Sequence, residues 1–456
     1  MTSSGITLLG LGPGDPLLLT RQAWDTLNDA PEITLRTRQH PAVAAFPAGL
    51  QVYSFDDLYE NAPSFEAVYA EIVDRVLELG SRPQGVIYAV PGHPFIAEAT
   101  SPEIARRARA AGIVVRVVEG LSFLEAVFSA LNQDPFPHTA LVDAFELAVA
   151  HHPPFPSSAP ALIAQIHSRS MASDVKLTLT EVYPDEHPVQ LVHNAGTADV
   201  FVEQLPLYEM DRSPHIGLLT SLYLPPLGQE TSFEAFQELV AHLRAPEGCP
   251  WDREQDHQTL RPHLLEETYE ALAALDADDP QAMCEEFGDL LLQIVLHTQI
   301  ANEYGEFRMT DVIQNIHRKL VHRHPHVFGN LKLSDPQGIL ENWERLKAAE
   351  REANGEGEKS LLDGVALALP ALVQAEEYQK RVARVGFDWQ SIASALEKAR
   401  QELEKVERAV APEERAAGIG DLLFAVVNLA RWYELDAEST LREANTRFRE
   451  QFTGIV

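Results

Sequence analysis

Four carboxylates, Glu267 with Glu270 and Glu286 with Asp289, stand in two pairs at a spacing of three residues. Both pairs lie in stretches of helical period, and residues three apart share a helix face. The first stretch carries Leu265, Tyr269, Leu272 and Leu275 as an apolar stripe, with Glu266 one turn before Glu270. The second carries Phe287, Leu290, Ile294 and Val295 beside its pair. These stripes predict two core-facing helices, each with a carboxylate pair at its margin. One such pair is most simply a solvated face in an acidic chain. Two pairs on successive helices are harder to dismiss, because antiparallel packing would converge four carboxylates that must then take up protons or hold a cation. Magnesium, a hard ion with oxygen ligands, suits the donors and keeps positions for water and phosphate. Gly288, inside the second pair, costs about 1 kcal/mol of helix propensity relative to Ala, which a close approach to the backbone would explain.

Lys319 and Arg323 are one helical turn apart, suited either to phosphate oxygens or to an exposed helix end. His322, His324 and His326 surround Pro325 without a matched fourth ligand, which disfavours zinc. Trp251 and Trp343 offer faces to a base or to a core.

A second kind of chemistry begins at Ile6, where a β-prone run enters a turn containing Gly10, Gly12, Gly14 and Asp15. The spacing is GxGxG, Pro13 removes a backbone donor, and Arg36 rather than an acid ends the next β-prone run, so a nicotinamide site is disfavoured. The turn alone reads equally well as a tight bend or a ligand cradle. Three further segments accompany it: Ala89 to Phe95 with Pro91, Gly92, His93 and Pro94, Glu119 to Ala126 with Ser122, and Asp174 to Asp185.

The elements that must position these groups fall into two halves. From Ile6 to about Tyr223 short β-prone runs (Ile6 to Leu9, Val86 to Ala89, Ile113 to Val118, Gln190 to His193) alternate with helical stretches such as Phe65 to Leu79, the pattern of an α/β domain. Six prolines between Pro135 and Pro160 mark a hinge between two subdomains. After the Pro225-Pro226 breaker, Thr231 and Glu234 form a capping box that opens an all-α half. That half contains a repeat, Phe287-Gly-Asp-Leu-Leu-Leu-Gln-Ile-Val matching Ile419-Gly-Asp-Leu-Leu-Phe-Ala-Val-Val. In the second copy Gln401, Glu402 and Lys405 replace Glu266, Glu267 and Glu270, Gly418 replaces Glu286, and Gln451 falls where Arg323 stands, so it should hold no magnesium. The expected organisation is a multidomain chain: an α/β domain over residues 1–226, an intact helical repeat over 230–347, a linker over 348–362 and a degenerate repeat over 363–456.

At 456 residues the chain is long enough for several cores, and its 45% hydrophobic and 23% charged composition is that of a folded protein. A formal net charge of -32 argues against nucleic-acid backbones as partners. No apolar run is long enough to span a membrane and the first residues lack a signal-peptide pattern, so a cytoplasmic protein is expected. Cys249 and Cys284 lack CxxC spacing and read as buried thiols.

Cys249-Pro-Trp-Asp, Glu266-Glu-Thr-Tyr-Glu, Glu286-Phe-Gly-Asp and Lys319-Leu-Val-His-Arg-His-Pro-His-Val-Phe-Gly together resemble the MazG family of nucleoside triphosphate pyrophosphohydrolases. The resemblance implies a helical, magnesium-dependent homodimer that cleaves a nucleoside triphosphate to the monophosphate and pyrophosphate. It puts the metal ligands on Glu267, Glu270, Glu286 and Asp289, with Glu266 as a helper or base. Lys319 and Arg323 would meet the triphosphate, Trp343 and Lys347 lie in a family-like stretch, and Trp251 is a candidate for the base. The glycine turn with its three companion segments resembles the tetrapyrrole methylases. That implies S-adenosylmethionine bound between two α/β subdomains at Gly10, Gly12, Gly14, Asp15, Pro91 to Pro94 and Ser122. Gly92-His93-Pro94 stands where many of those methylases have Gly-Asp-Pro. The order of the domains resembles the fused YabN-type proteins. Two other readings remain: a methyltransferase with a regulatory or dimerising nucleotide-binding helical module, and a non-enzymatic nucleotide sensor.

Overall fold

The computed structural model describes residues 5–61, 64–332, 335–353 and 361–453. The chain divides into two compact units, Met1–His242 and Leu243–Val456. The division falls inside the helix Phe233–Arg244, which Ser232 caps rather than the expected Thr231. The Ser232 hydroxyl accepts from Ala235 N at 3.2 Å, while Thr231 closes a preceding 3-10 turn and donates to Gly228 O.

The first unit contains two sheets. Strands β1 (Ile6–Gly10), β2 (Glu32–Leu35), β3 (Gln51–Ser54), β4 (Val86–Val90) and β5 (Val115–Val118) form a parallel sheet in the order β3-β2-β4-β1-β5. Both faces are apolar: Leu8, Tyr88 and Val90 pack with Ile72 and Ile104 on one side, and Leu9, Ile33 and Leu35 with Leu27 on the other. This is why these strands read as continuous hydrophobic runs. The chain leaves β2 towards β3 on one side and leaves the neighbouring β4 towards β5 on the other, so the connections diverge between these strands and open a crevice at their carboxyl ends.

The second sheet is mixed, with β6 (Ala140–Asp143), β7 (Ala161–Ala164), β8 (Pro188–His193), β9 (Phe201–Pro206) and β10 (Thr220–Leu224) in the order β6-β7-β10-β8-β9. The proline-rich segment read as a hinge carries β6 and the link to β7.

The second unit is helical. The helices Arg261–Asp276 and Pro280–Glu303 form a hairpin through Asp278, at φ 50°, and Asp279, whose carboxylate caps the second helix through Gln281 N at 3.0 Å. The same hairpin recurs as Ile392–Arg408 and Pro412–Trp432, which gives the sequence repeat its structural form. The helix Pro336–Ala353 runs into the expected linker, and residues 354–360 of that linker lie outside the described residues. Arg442 reaches Asp276 at 3.1 Å, tying the last helix to the end of the first hairpin helix. Among the described residues no helix is long and apolar enough to cross a membrane.

Two expectations are corrected. Cys284 is exposed and Cys249 half-buried, so neither is a core thiol. The first hairpin helix turns Ala271 and Ala274 inward, whereas Leu265, Tyr269 and Leu275 remain exposed. Alanines at the contact let the two backbones approach, and the larger side chains are displaced to the outer face.

Candidate metal centre and ligand crevice

Antiparallel packing of the hairpin brings Glu267, Glu270 and Glu286 together, with one carboxylate oxygen of each within 4.8 Å of the others. Burial pushes the Glu267 carboxyl up, and the charges of Asp289, Glu270, Glu266 and Glu286 push it further. Glu286 is raised likewise by desolvation and then by Glu270, Glu285 and Asp289. Asp289 is not one of the three converging groups, yet its charge acts on both Glu267 and Glu286. A cation with a preference for oxygen would remove this repulsion, so the donor set fits a hard divalent ion.

Glu266 lies one residue from the cluster and pairs with His263 at 3.7 Å. His263 in turn packs at a steep angle against Trp251, ring centroids 6.3 Å apart, so Trp251, His263 and Glu266 form a chain beside the carboxylates. Trp251 is 55% exposed. Arg244 positions this segment: its almost buried guanidinium pairs with Glu303 at 2.8 Å and donates to the carbonyls of Asp252 and Gln255. The hydrogen bond from Arg244 holds Glu303 below its ordinary range. His257 and His297 stack with centroids 5.1 Å apart and bring the same segment onto the second hairpin helix. Neither contact has a local sequence signal, because both join residues at least forty positions apart.

The cationic candidates form another group, between the helices Met309–Arg323 and Pro336–Ala353. Arg323 binds Glu350 at 2.5 Å, and Lys319 adds to the field that lowers the Glu350 carboxyl. Trp343 receives the Lys347 ammonium 4.1 Å from its ring centroid and the Arg323 guanidinium at 5.8 Å. These two cations therefore already engage the indole that was a candidate for base stacking. Gly288 has open space where a side chain would project, so no group of the described chain makes the expected close approach.

In the first unit, β1 and β4 end side by side, and Gly12 and Gly92 exchange backbone hydrogen bonds of 3.2 and 2.8 Å. A side chain at Gly10 would sit 2.6 Å from Gly92 O and Gly120 N, and one at Gly14 would strike Thr197. Those glycines permit backbone packing. Asp15 accepts from Leu17 N at 2.8 Å, Ser122 caps the helix Phe123–Leu131 with Glu125, and His93 accepts from Phe95 N at 3.1 Å. Pro91 and Gly92 line a cavity of about 210 Å³ with Pro13, Arg36, His40 and Gln165, and it adjoins another of about 690 Å³ that shares Arg36, Pro91 and Gln165. Pro94 follows in the same loop. Burial lowers His40, whose Nε2 lies 3.0 Å from Gly12 O, and Arg36 pairs with buried Glu98 at 2.9 Å.

Comparisons with known proteins place these two regions. The MazG nucleotide pyrophosphohydrolase domain matches residues 255–328, and the tetrapyrrole (corrin/porphyrin) methylases match residues 5–211. The uncharacterized protein YabN of Bacillus subtilis is 41% identical over 464 residues, covering 99% of this chain and 92% of that protein. The nucleoside triphosphate pyrophosphohydrolase/pyrophosphatase MazG of Thermotoga maritima is 42% identical over 220 residues, covering 48% of this chain and 84% of that protein. The nucleoside triphosphate pyrophosphohydrolase of Escherichia coli K12 is 41% identical over 220 residues, 47% of this chain and 83% of its own length. With an intact carboxylate hairpin in one unit and the paired glycine loops in the other, the chain belongs to the MazG nucleotide pyrophosphohydrolase family, in the form fused behind a tetrapyrrole methylase domain.

Proposed function

We propose that the first helical repeat hydrolyses nucleoside triphosphates to monophosphate and pyrophosphate with magnesium held by Glu267, Glu270, Glu286 and Asp289. The convergence of three carboxylates from two helices carries this reading. Magnesium bound there supplies charge neutralisation at the phosphates and a more acidic water. Glu266, steadied by His263, accepts the proton of the attacking water, and its exposure lets that proton leave. Lys319 meets the triphosphate as a point charge, Arg323 and Lys347 add positive charge from their places on Trp343, and the exposed indole of Trp251 is offered to the base. Pyrophosphate release from a panel of standard and damaged triphosphates, with magnesium and with EDTA, tests this: release only with magnesium is expected, and none from any substrate would refute it.

A homodimer belongs to the same reading, since the outer hairpin faces are apolar and half-exposed in both repeats. The crevice at Gly12 and Gly92 supports a second activity, binding of S-adenosylmethionine by the first domain. Gly92 has φ 68° and open space at the position of a side chain. Gly92→Ala should place a methyl group in the crevice, weaken S-adenosylhomocysteine binding at least about tenfold, and cost only about 1 kcal/mol of stability. Calorimetry and thermal unfolding measure the two effects; unchanged affinity would move the cofactor elsewhere.

A further inference from the structure

The segment from Trp251 to Glu266 carries both the indole offered to the base and the group that accepts the proton of water, and His257 lies in its middle. Its Nδ1 is 2.8 Å from Nδ1 of His297 on the helix Pro280–Glu303, with the two ring planes 11° apart. Ring nitrogens at that distance hold one proton between them, because two bare lone pairs repel and two N–H groups collide.

The surroundings decide which ring carries that proton. Nε2 of His297 is buried and has no hydrogen-bond partner among the described residues. A buried N–H is left unpaired more rarely than a buried acceptor, so the neutral ring keeps Nε2 bare and places its hydrogen on Nδ1. His297 therefore donates to His257, whose own hydrogen is on Nε2, 3.8 Å from the Glu306 carboxylate.

A second proton has no place in this pair. On His257 Nδ1 it would meet the Nδ1–H of His297, and on His297 Nε2 it would be a buried charge without a partner. Burial, and after it the charge of His257, holds His297 below the ordinary imidazole range. Glu306 across the contact and Asp256 beside it in the chain both favour a charged His257, while Arg244 and Glu303, which hold the same segment, neutralise one another. The proton that acid supplies thus goes to His257 and separates the rings.

We infer that His257 and His297 are positioning residues for the hydrolysis proposed above, a clasp that one shared proton closes and a second opens, so that the first repeat loses affinity for its substrate as pH falls through the imidazole range. The inference rests on that reading of the first repeat, but the state of the two rings can be measured without it. In the full chain, nitrogen-15 NMR of labelled histidines, assigned by their loss in His257→Asn and His297→Asn, should show His297 as the Nδ1–H tautomer and His257 as the Nε2–H tautomer at about pH 7.5. Pyrophosphate release is then followed at about pH 7.5 and about pH 5.5. Acidification should raise KM at least about fivefold more in the wild type than in His297→Asn, whose amide donates to a neutral His257 and can turn its oxygen to a charged one. Proton uptake by the metal ligands is common to both chains and falls out of the comparison. His297→Leu, which leaves His257 Nδ1 unpaired, should raise KM at least about fivefold already at about pH 7.5, with kcat within about twofold. An unchanged helical circular dichroism spectrum verifies that the variants fold. The opposite tautomers, or equal acid dependence of KM in wild type and His297→Asn, would overturn the clasp. The expected tautomers in a chain that releases no pyrophosphate would instead refute the hydrolytic reading and leave the shared proton established.

Discussion

Glu267→Ala and Glu286→Ala should each reduce magnesium-dependent pyrophosphate release at least about 100-fold while leaving the helical circular dichroism spectrum unchanged. Asp289→Ala should fall in the same direction, because its charge reaches both residues. These side chains lie at the edge of the hairpin rather than in its contact, so their loss removes ligands and repulsion together. In EDTA the variants should therefore unfold at or above the wild-type temperature, and added magnesium should stabilise only the wild type. The sign of the pH dependence follows from the raised carboxyls. Their folded values exceed the unfolded ones, so the stability they contribute is fully present below the ordinary carboxylate range and is lost as pH rises through the raised values. The advantage of Glu267→Ala over metal-free wild type should accordingly shrink as pH is lowered. Thermal unfolding across a pH series measures this, and full activity in either Glu267→Ala or Glu286→Ala would refute the centre.

Groups close in sequence were legible before the fold. Spacing alone put Glu267 and Glu270 on one turn, and the helical repeat of Phe287 to Val295 at Ile419 to Val427 announced two hairpins. Sequence could not show that Arg244 binds Glu303 or that Arg323 is paired with Glu350, because such contacts depend on which faces meet. It also misjudged the inner side of the first hairpin helix. Hydrophobicity marks Leu265 and Tyr269 for burial, but Ala271 and Ala274 decide how closely the helices approach, and the larger residues then face outward. The glycine turn shows the converse limit. Its composition suggested ligand approach at Gly10 and Gly14, whereas the positions above them are filled by the chain's own backbone and Thr197.

Leu423→Asp should convert the proposed homodimer to a monomer without unfolding the chain, and Leu291→Asp, at the matching position of the first repeat, should do the same. Leu291 is 39% exposed and Leu423 53%, and each lies on a stripe with equally open neighbours, Phe287 and Ile294 in one repeat, Ile419 and Val426 in the other. Val295 and Val427, at the corresponding inward position, are almost fully buried. The two copies thus turn the same repeat positions towards solvent even though one has Lys405 and Gly418 in place of two of its carboxylates, so this face answers to a requirement other than metal binding. Covering it with a second copy would gain roughly 1.5–3 kcal/mol for each large side chain fully removed from water. An aspartate on the open single chain costs little, but in a closed interface it leaves an unpaired buried charge. Light scattering should show the change in mass, with the circular dichroism spectrum unaltered. Hydrolysis should fall at least about tenfold with it if the carboxylate hairpin needs a neighbouring copy to close over substrate. A dimer persisting in both variants would mean that some other surface holds the copies together.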